Sequence, residues 1–256
     1  MPEDNRPDTT AANILDRTMS DLGKSPLVRP LDKAFRKLSE AGQLDRSGAV
    51  LASSEATLRE GYCYFIGLNP GGDDDEVSLV SAFPTIRESL ALARLGCNGF
   101  DQDWSRDGAS YPAGGSPMQQ RFKFICSQLG LTYSQVFATN FVFARSRDVA
   151  SLEGFARDVD VCAPVHQIFL GTVKPKFFWL MGNTDTVGLK PDFEWTQSGH
   201  GNWSIGRGEI SLWGETLPAF HTPHLSSWSP EHNMKALMWT LEKVSMLVPK
   251  TADANI

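Results

Sequence analysis

The sequence is short of the residues from which reactive centres are most often built. Only four cysteines occur among 256 residues, Cys63, Cys97, Cys126 and Cys162. None forms a CxxC pair and each lies in or beside an apolar run, so neither zinc nor iron–sulfur ligation is expected. They read as small buried hydrophobes. No serine sits on a GxSxG elbow, and neither a Walker A loop nor a GxGxxG fingerprint occurs, which removes the commonest signatures of acyl transfer, nucleotide hydrolysis and dinucleotide binding. No cofactor or metal is therefore expected. No window approaches the eighteen or so apolar residues of a membrane span. The first ten residues, Met1 to Thr10, are polar without an apolar core, so no secretory signal is expected. A soluble, cytoplasmic, prokaryote-like protein with no membrane partner is expected. Positive charge is also in deficit: 24 Lys and Arg against 30 Asp and Glu give a net charge of −6. A basic nucleic-acid coat protein is excluded, whereas an enzyme that meets DNA through a small local face is not.

What is present is organised around Tyr62-Cys63-Tyr64-Phe65-Ile66-Gly67-Leu68-Asn69-Pro70-Gly71-Gly72. The run begins as the apolar, aromatic pattern of a strand buried on both faces. It then breaks into Asn-Pro-Gly-Gly, where no strand continues. A buried strand ending in a polar turn sets that turn at the carboxyl edge of a sheet, where open α/β sheets bind ligands.

The remaining chain repeats this grammar of strand, polar turn and helix. Residues 1–12 lack periodicity and read as disordered, and residues 13–60 as two or three helices carrying a stripe of Leu31, Phe35, Leu38 and Leu44. The acidic run Asp73-Asp74-Asp75-Glu76 reads as solvated loop carboxylates in preference to a metal site. Helices are expected over Pro84 to Leu95, from Ser116-Pro117 to Gly130, over 151–172 and from Ser229-Pro230-Glu231 onward. Residues 97–116 read as a long irregular stretch, whose aromatics either grip a substrate or pin the loop to the core. Strands are expected at Val136–Val142, at Phe177–Gly182 and across much of 203–220. The fold class is thus α/β, a mostly parallel central sheet flanked by helices. One such domain spans 61–248, with a helical N-terminal extension over 1–60 and a tail over 249–256.

Three of these strands end in polar turns: Gly67-Leu68-Asn69-Pro70-Gly71, Thr139-Asn140 and His221-Thr222-Pro223-His224. In a parallel sheet they share one edge, so an Asn and a His can meet across one cleft. Asn offers an acceptor and a donor that can hold a water or a base edge. His can donate to a developing anion. Arg145 and Arg147 read as solvated loop charges, with phosphate contact as the alternative; His166 reads as structural and His200 as a loop residue.

In order and spacing, Gly67-Leu68-Asn69-Pro70-Gly71, Ala138-Thr139-Asn140-Phe141-Val142, Phe178-Trp179-Leu180-Met181-Gly182 and His221-Thr222-Pro223-His224-Leu225-Ser226 resemble the uracil-DNA glycosylase superfamily. The likeness is nearest to its mismatch-specific (thymine/uracil) and single-strand-selective branches and spans roughly residues 60–248. It implies a three-layer sandwich and a monomeric, metal-free hydrolase that flips a nucleotide from DNA and cleaves its N-glycosidic bond by water attack. It implies that Asn69 positions the water and that His221 stabilises the departing base. Gly67, Leu68, Pro70, Gly71, Asn140 and His224 would border the base, with Tyr111 or Phe83 stacking on it. Leu225 matches the wedge that fills the vacated stack, and Arg145, Ser226, Ser227 and Trp228 would contact DNA. The second motif departs from the family in lacking its usual Pro-Ser and in carrying the extra His224. The segment after the first motif is longer and acidic. These departures fit a pocket for a bulkier modified base, or a module that binds nucleic acid or protein without turnover. A nucleoside or nucleotide N-glycosidase is the remaining alternative.

Overall fold

The computed structural model describes residues 9–24, 29–71, 85–106, 109–146, 152, 154–183, 192–198 and 202–249. In chain order the elements are α1 (Thr9–Asp21), α2 (Pro30–Glu40), β1 (Cys63–Gly67), α3 (Ile86–Arg94), β2 (Trp104–Arg106), β3 (Ala109–Tyr111) and α4 (Pro117–Gln128). There follow β4 (Phe137–Asn140), α5 (Phe155–Val173), β5 (Phe177–Met181), β6 (Asp192–Gln197), β7 (Ser204–Leu212), β8 (Glu215–Thr222) and α6 (Met234–Ser245).

Six strands form one mixed sheet in the order β4-β1-β5-β8-β7-β6. β1, β4, β5 and β8 are parallel, β7 runs against β8, and β6 runs against β7. All five residues of β1 and of β5 are buried because helices cover both faces. Side-chain alternation divides the core in two. Tyr64, Ile66, Phe178 and Leu180 face Val165 and Phe169 of α5 together with α2 and α3. Cys63, Phe65 and Trp179 face Phe122 and Ile125 of α4 and Leu237 and Leu241 of α6. The result is the expected α/β architecture of three layers. No described helix is long and apolar enough to cross a membrane.

Local chemistry sets the helix starts. Thr85 and Glu88 close a capping box on α3, and Ser116 and Gln119 close another on α4 with Pro117 in the first turn. The N-terminal segment is tied into the main body, since Leu31, Ala34, Leu38 and Val50 belong to the same core as Tyr64 and Phe178. Buried Asp32 accepts from the Gly23 amide and from Arg94, both at 3.0 Å, and Arg94 also meets Glu55 at 3.3 Å. Gly48 and Leu51 form bridges to Ala144 and Thr139 beside β4.

Four expectations change. Helix α1 already begins at Thr9, inside the stretch read as disordered. Residues 97–116 are not structureless: they hold a 3-10 turn at Gly99–Asp101 and the antiparallel ribbon β2–β3. The edge strand β6 was not anticipated, because Asp192–Gln197 alternates Asp, Glu and Thr with a half-buried Phe193 and an exposed Trp195 and lacks a buried run. β8 continues through His221 and Thr222, which the Thr-Pro-His sequence had placed in a turn. Only Pro223, with its fixed φ and missing N–H, ends the strand.

Buried aromatics supply much of the α4-side core. Phe100 stacks on Phe122 at 3.7 Å, Phe122 on Trp179 at 5.0 Å and Trp179 on Phe220 at 5.3 Å. Phe100 therefore pins its loop to the core, one of the two roles open for that segment. Burial pushes the thiols of Cys63 and Cys126 well above their ordinary range and that of Cys162 up to about 12, so none is a ready thiolate nucleophile.

Candidate functional site

The four parallel strands β1, β4, β5 and β8 have the spatial order second, first, third, fourth. Connections leaving β1 and β5 run to opposite sides, so the order reverses between these two strands. Their carboxyl ends, Gly67-Leu68-Asn69 and Met181-Gly182-Asn183, flank the crevice where such sheets bind ligands.

The Asn69 turn is held firmly. Beyond the last ladder pair, Gly67 with Asn140, the chain after β4 keeps bonding to it. Phe141 N–H donates to Gly67 O at 2.7 Å, Val142 N–H to Leu68 O at 3.0 Å and Ser146 N–H to Pro70 O at 3.2 Å. The Asn69 amide group donates to Pro70 O at 3.0 Å and to Ser146 O and Oγ at 2.9 and 3.0 Å. Two of these partners are carbonyls, which only accept, so the identity of Nδ2 is fixed by its surroundings. The carboxamide oxygen takes no hydrogen bond among the described residues, and it is the atom that can accept from a water. Arg145 donates to Gly71 O at 2.7 Å and so clasps the turn.

On the other side of the crevice, Gly182 connects the first motif to the last. It has φ 97°, a conformation that favours glycine, and a Cβ there would approach Leu68 to 3.3 Å. Its carbonyl accepts from His221 Nε2–H, and its N–H donates to Thr222 O at 3.0 Å. His221 is 6% exposed and its ring packs against that of Trp195 at 5.2 Å and 65°. A carbonyl accepts the Nε2 proton and Nδ1 is enclosed by protein, so neither ring nitrogen of His221 is presented to the crevice in this conformation. Asn69 and His221 thus stand toward one sheet edge on strands separated by β5, with His221 level with Ile66, so they lie roughly 10 Å apart across the sheet and about as far again along it.

Asn140 lies at the same edge, and its Oδ1 sits over Gly67, where an added Cβ would approach it to 2.6 Å. Gly67→Ala is accordingly expected to displace the Asn140 side chain and to destabilise the fold by about 1–3 kcal/mol, as read by urea denaturation.

The second-motif loop differs most from expectation. Leu225 is fully buried and Trp228 is 1% exposed; both belong to the α4–α6 core. Arg121 donates to Leu225 O at 2.7 Å and Trp228 Nε1–H to Ser198 Oγ at 3.0 Å. Neither presents a side chain to DNA in this conformation, because the turn buries its apolar residues inward. The exposed members are His224 and Ser227, with Ser226 half-buried. Ser226 bonds His224 Nδ1 through its N–H at 3.3 Å and its hydroxyl at 2.7 Å. Tyr111 ends the β2–β3 ribbon half-buried, and no described contact joins it to Asn69 or His221. Phe83, the acidic run Asp73 to Glu76, Arg147 and His200 lie outside the described residues.

Ser146 and Trp195 carry no local signal in the sequence, and Gly182 figures there only as the end of the Phe178–Gly182 motif. No protein-family model and no curated protein matches this chain. No group of three or more His, Cys, Asp or Glu side chains suited to a metal exists among the described residues.

Proposed function

We propose that this protein is a DNA glycosylase that hydrolyses the N-glycosidic bond of uracil or another modified or mismatched base flipped out of DNA. The observation that carries the reading is Asn69. Its amide hydrogens are committed to the Pro70 and Ser146 carbonyls, which turns its oxygen outward as a fixed water acceptor at the strand-order reversal. The four ordered motifs supply the analogy, and His221 stands on the same edge for the departing base. Breaking a glycosidic bond passes through an oxocarbenium-like state, so a positioned water and charge stabilisation of the leaving base are the required parts. Asn69 holds the water at the anomeric carbon, the C–N bond breaks with its electron pair leaving on the base, the water oxygen bonds that carbon and releases a proton to solvent, and the base anion takes up a proton; His221 reaches the base by turning its ring away from the Gly182 carbonyl.

The test is incubation of purified protein with single- and double-stranded oligonucleotides bearing uracil, mismatched thymine or modified cytosine, scored for abasic sites. Product that disappears in Asn69→Ala is the expected result. No product on any substrate overturns the reading.

One observation favours a second reading. With Leu225 and Trp228 in the core, the loop shows no wedge, as suits a nucleoside or nucleotide N-glycosidase that opens no duplex. Release of free base from deoxynucleoside monophosphates, without abasic sites in DNA, selects it.

A further inference from the structure

At the carboxyl edge, strand register aligns Ile66, Leu180, His221, Gly206 and Trp195 across five neighbouring strands. Residues in register project from the same sheet face. Gly206 therefore leaves a gap between the His221 and Trp195 side chains. Phe193 and Trp195 fill it together: an added Cβ at 206 would meet Phe193 Cδ2 at 2.8 Å and Trp195 Cε3 and Cζ3 at 2.9 and 3.0 Å. Phe193 supports the same arrangement, 5.6 Å from Trp195 and folded over Gly208. The benzo ring of Trp195 is thereby held against Gly206, and the indole lies 5.2 Å from the His221 ring at 65°. The residue is nonetheless 46% exposed, whereas Trp179 and Trp228 are buried. An indole held against Gly206, half-exposed and beside His221, is built like a stacking platform.

We infer that Trp195 is the stacking wall for the heteroaromatic base of the substrate, held at its angle by Gly206 and leaving the base edge toward His221. The inference rests on the nucleobase reading of the site and replaces Tyr111 and Phe83 as the stacking aromatic. Trp195 is a binding and positioning residue; it takes no part in the bond-breaking step.

The experiment measures binding of short duplexes carrying uracil, 5-hydroxymethyluracil, hypoxanthine or mismatched thymine on a 2′-fluoro sugar, which resists glycosidic cleavage. A duplex with a tetrahydrofuran abasic analogue at that position is the baseline. The gain in affinity of the base-bearing over the abasic duplex isolates the base. Trp195→Ala is expected to reduce that gain by roughly 5- to 150-fold, the worth of stacking one base on an aromatic. Trp195→Phe keeps part of it, Gly206→Ala loses part of it by displacing the indole, and Trp203→Ala, on an exposed indole nearby, leaves it unchanged. A Trp195→Ala protein with the wild-type gain overturns the inference even if wild-type protein releases base. Wild-type protein that prefers no base-bearing duplex over the abasic one overturns it as well. If the gain depends on Trp195 but abasic product never forms on ordinary deoxyribose substrates, the stacking site stands and the hydrolytic reading fails.

Discussion

Replacing Asn69 by alanine is expected to slow base release by on the order of 10²-fold or more, in single-turnover assays with saturating enzyme, while the protein stays folded. The carboxamide does two separable things. Its oxygen is the proposed water acceptor, and its amide hydrogens bond Pro70 O, Ser146 O and Ser146 Oγ. Alanine removes both functions, and leaving those carbonyls without their donor costs about 1–3 kcal/mol of stability. Ser146→Ala removes only the hydroxyl contact and leaves the Ser146 carbonyl bond, so a smaller loss of rate is expected from it. Asn69→Asp is the informative third variant. It supplies a stronger acceptor for water but puts a carboxylate oxygen where Nδ2 now faces two carbonyls at 2.9 and 3.0 Å. Repulsion there is expected to loosen the turn and lower stability more than alanine does. If Asn69→Ala releases base at the wild-type single-turnover rate, Asn69 is only a clasp for the 145–146 chain and the hydrolytic role assigned to it is wrong.

The contrast between Asn69 and Leu225 illustrates what the sequence made legible. Asn69 follows a fully apolar strand and precedes Pro-Gly, so its position at a sheet edge follows from local chemistry alone. The same logic held for Thr139-Asn140 and for the Ser116-Pro117 helix start, whose capping box is written within four residues. It did not hold for the second motif. Nothing in His-Thr-Pro-His-Leu-Ser-Ser-Trp tells whether Leu225 and Trp228 face water or the core; that depends on α4 and α6, which bring Arg121 and Leu237 against the loop. The partners of the site were equally hidden. Ser146 meets Asn69 from 77 residues away because the chain after β4 continues alongside the β1 turn. Gly206 and Trp195 meet His221 through antiparallel register, and register between distant strands is not a local property. An edge strand such as β6, exposed along most of its length, has no buried run to announce it.

The stability of this protein is expected to fall steeply in acid, and His166 is expected to account for a share that mutation can isolate. His166 is fully buried, stacked on Trp213 at 3.8 Å, with Nε2–H donating to Phe141 O at 3.0 Å and Nδ1 accepting from Tyr64 Oη at 3.0 Å. A neutral imidazole satisfies both partners. A second proton would have to displace the Tyr64 hydroxyl hydrogen in a fully buried site. Burial lowers the ring's pKa from 6.5 to about 3, against the weaker opposing pull of the Phe141 carbonyl. Above pH 6.5 the folded and unfolded chains are both neutral at this position and proton binding does not distinguish them. Between about pH 6.5 and 3 the unfolded chain binds a proton that the folded chain refuses, so stability falls as pH falls, by up to about 1.4 kcal/mol per unit and roughly 5 kcal/mol in all. His166→Phe keeps a ring against Trp213 but leaves the Tyr64 hydroxyl and the Phe141 carbonyl without their partner, a loss of about 2–4 kcal/mol at neutral pH. That variant carries no such titration. Its deficit relative to wild type, read from urea midpoints, is therefore expected to be largest at pH 7 and to shrink steadily toward pH 4. Imidazole signals of the folded wild type should meanwhile show no protonation over that range. Parallel losses in the two proteins, with a constant difference across the titration, would mean that His166 takes up its proton at the same pH folded as unfolded and that its bond to Tyr64 is not the one described.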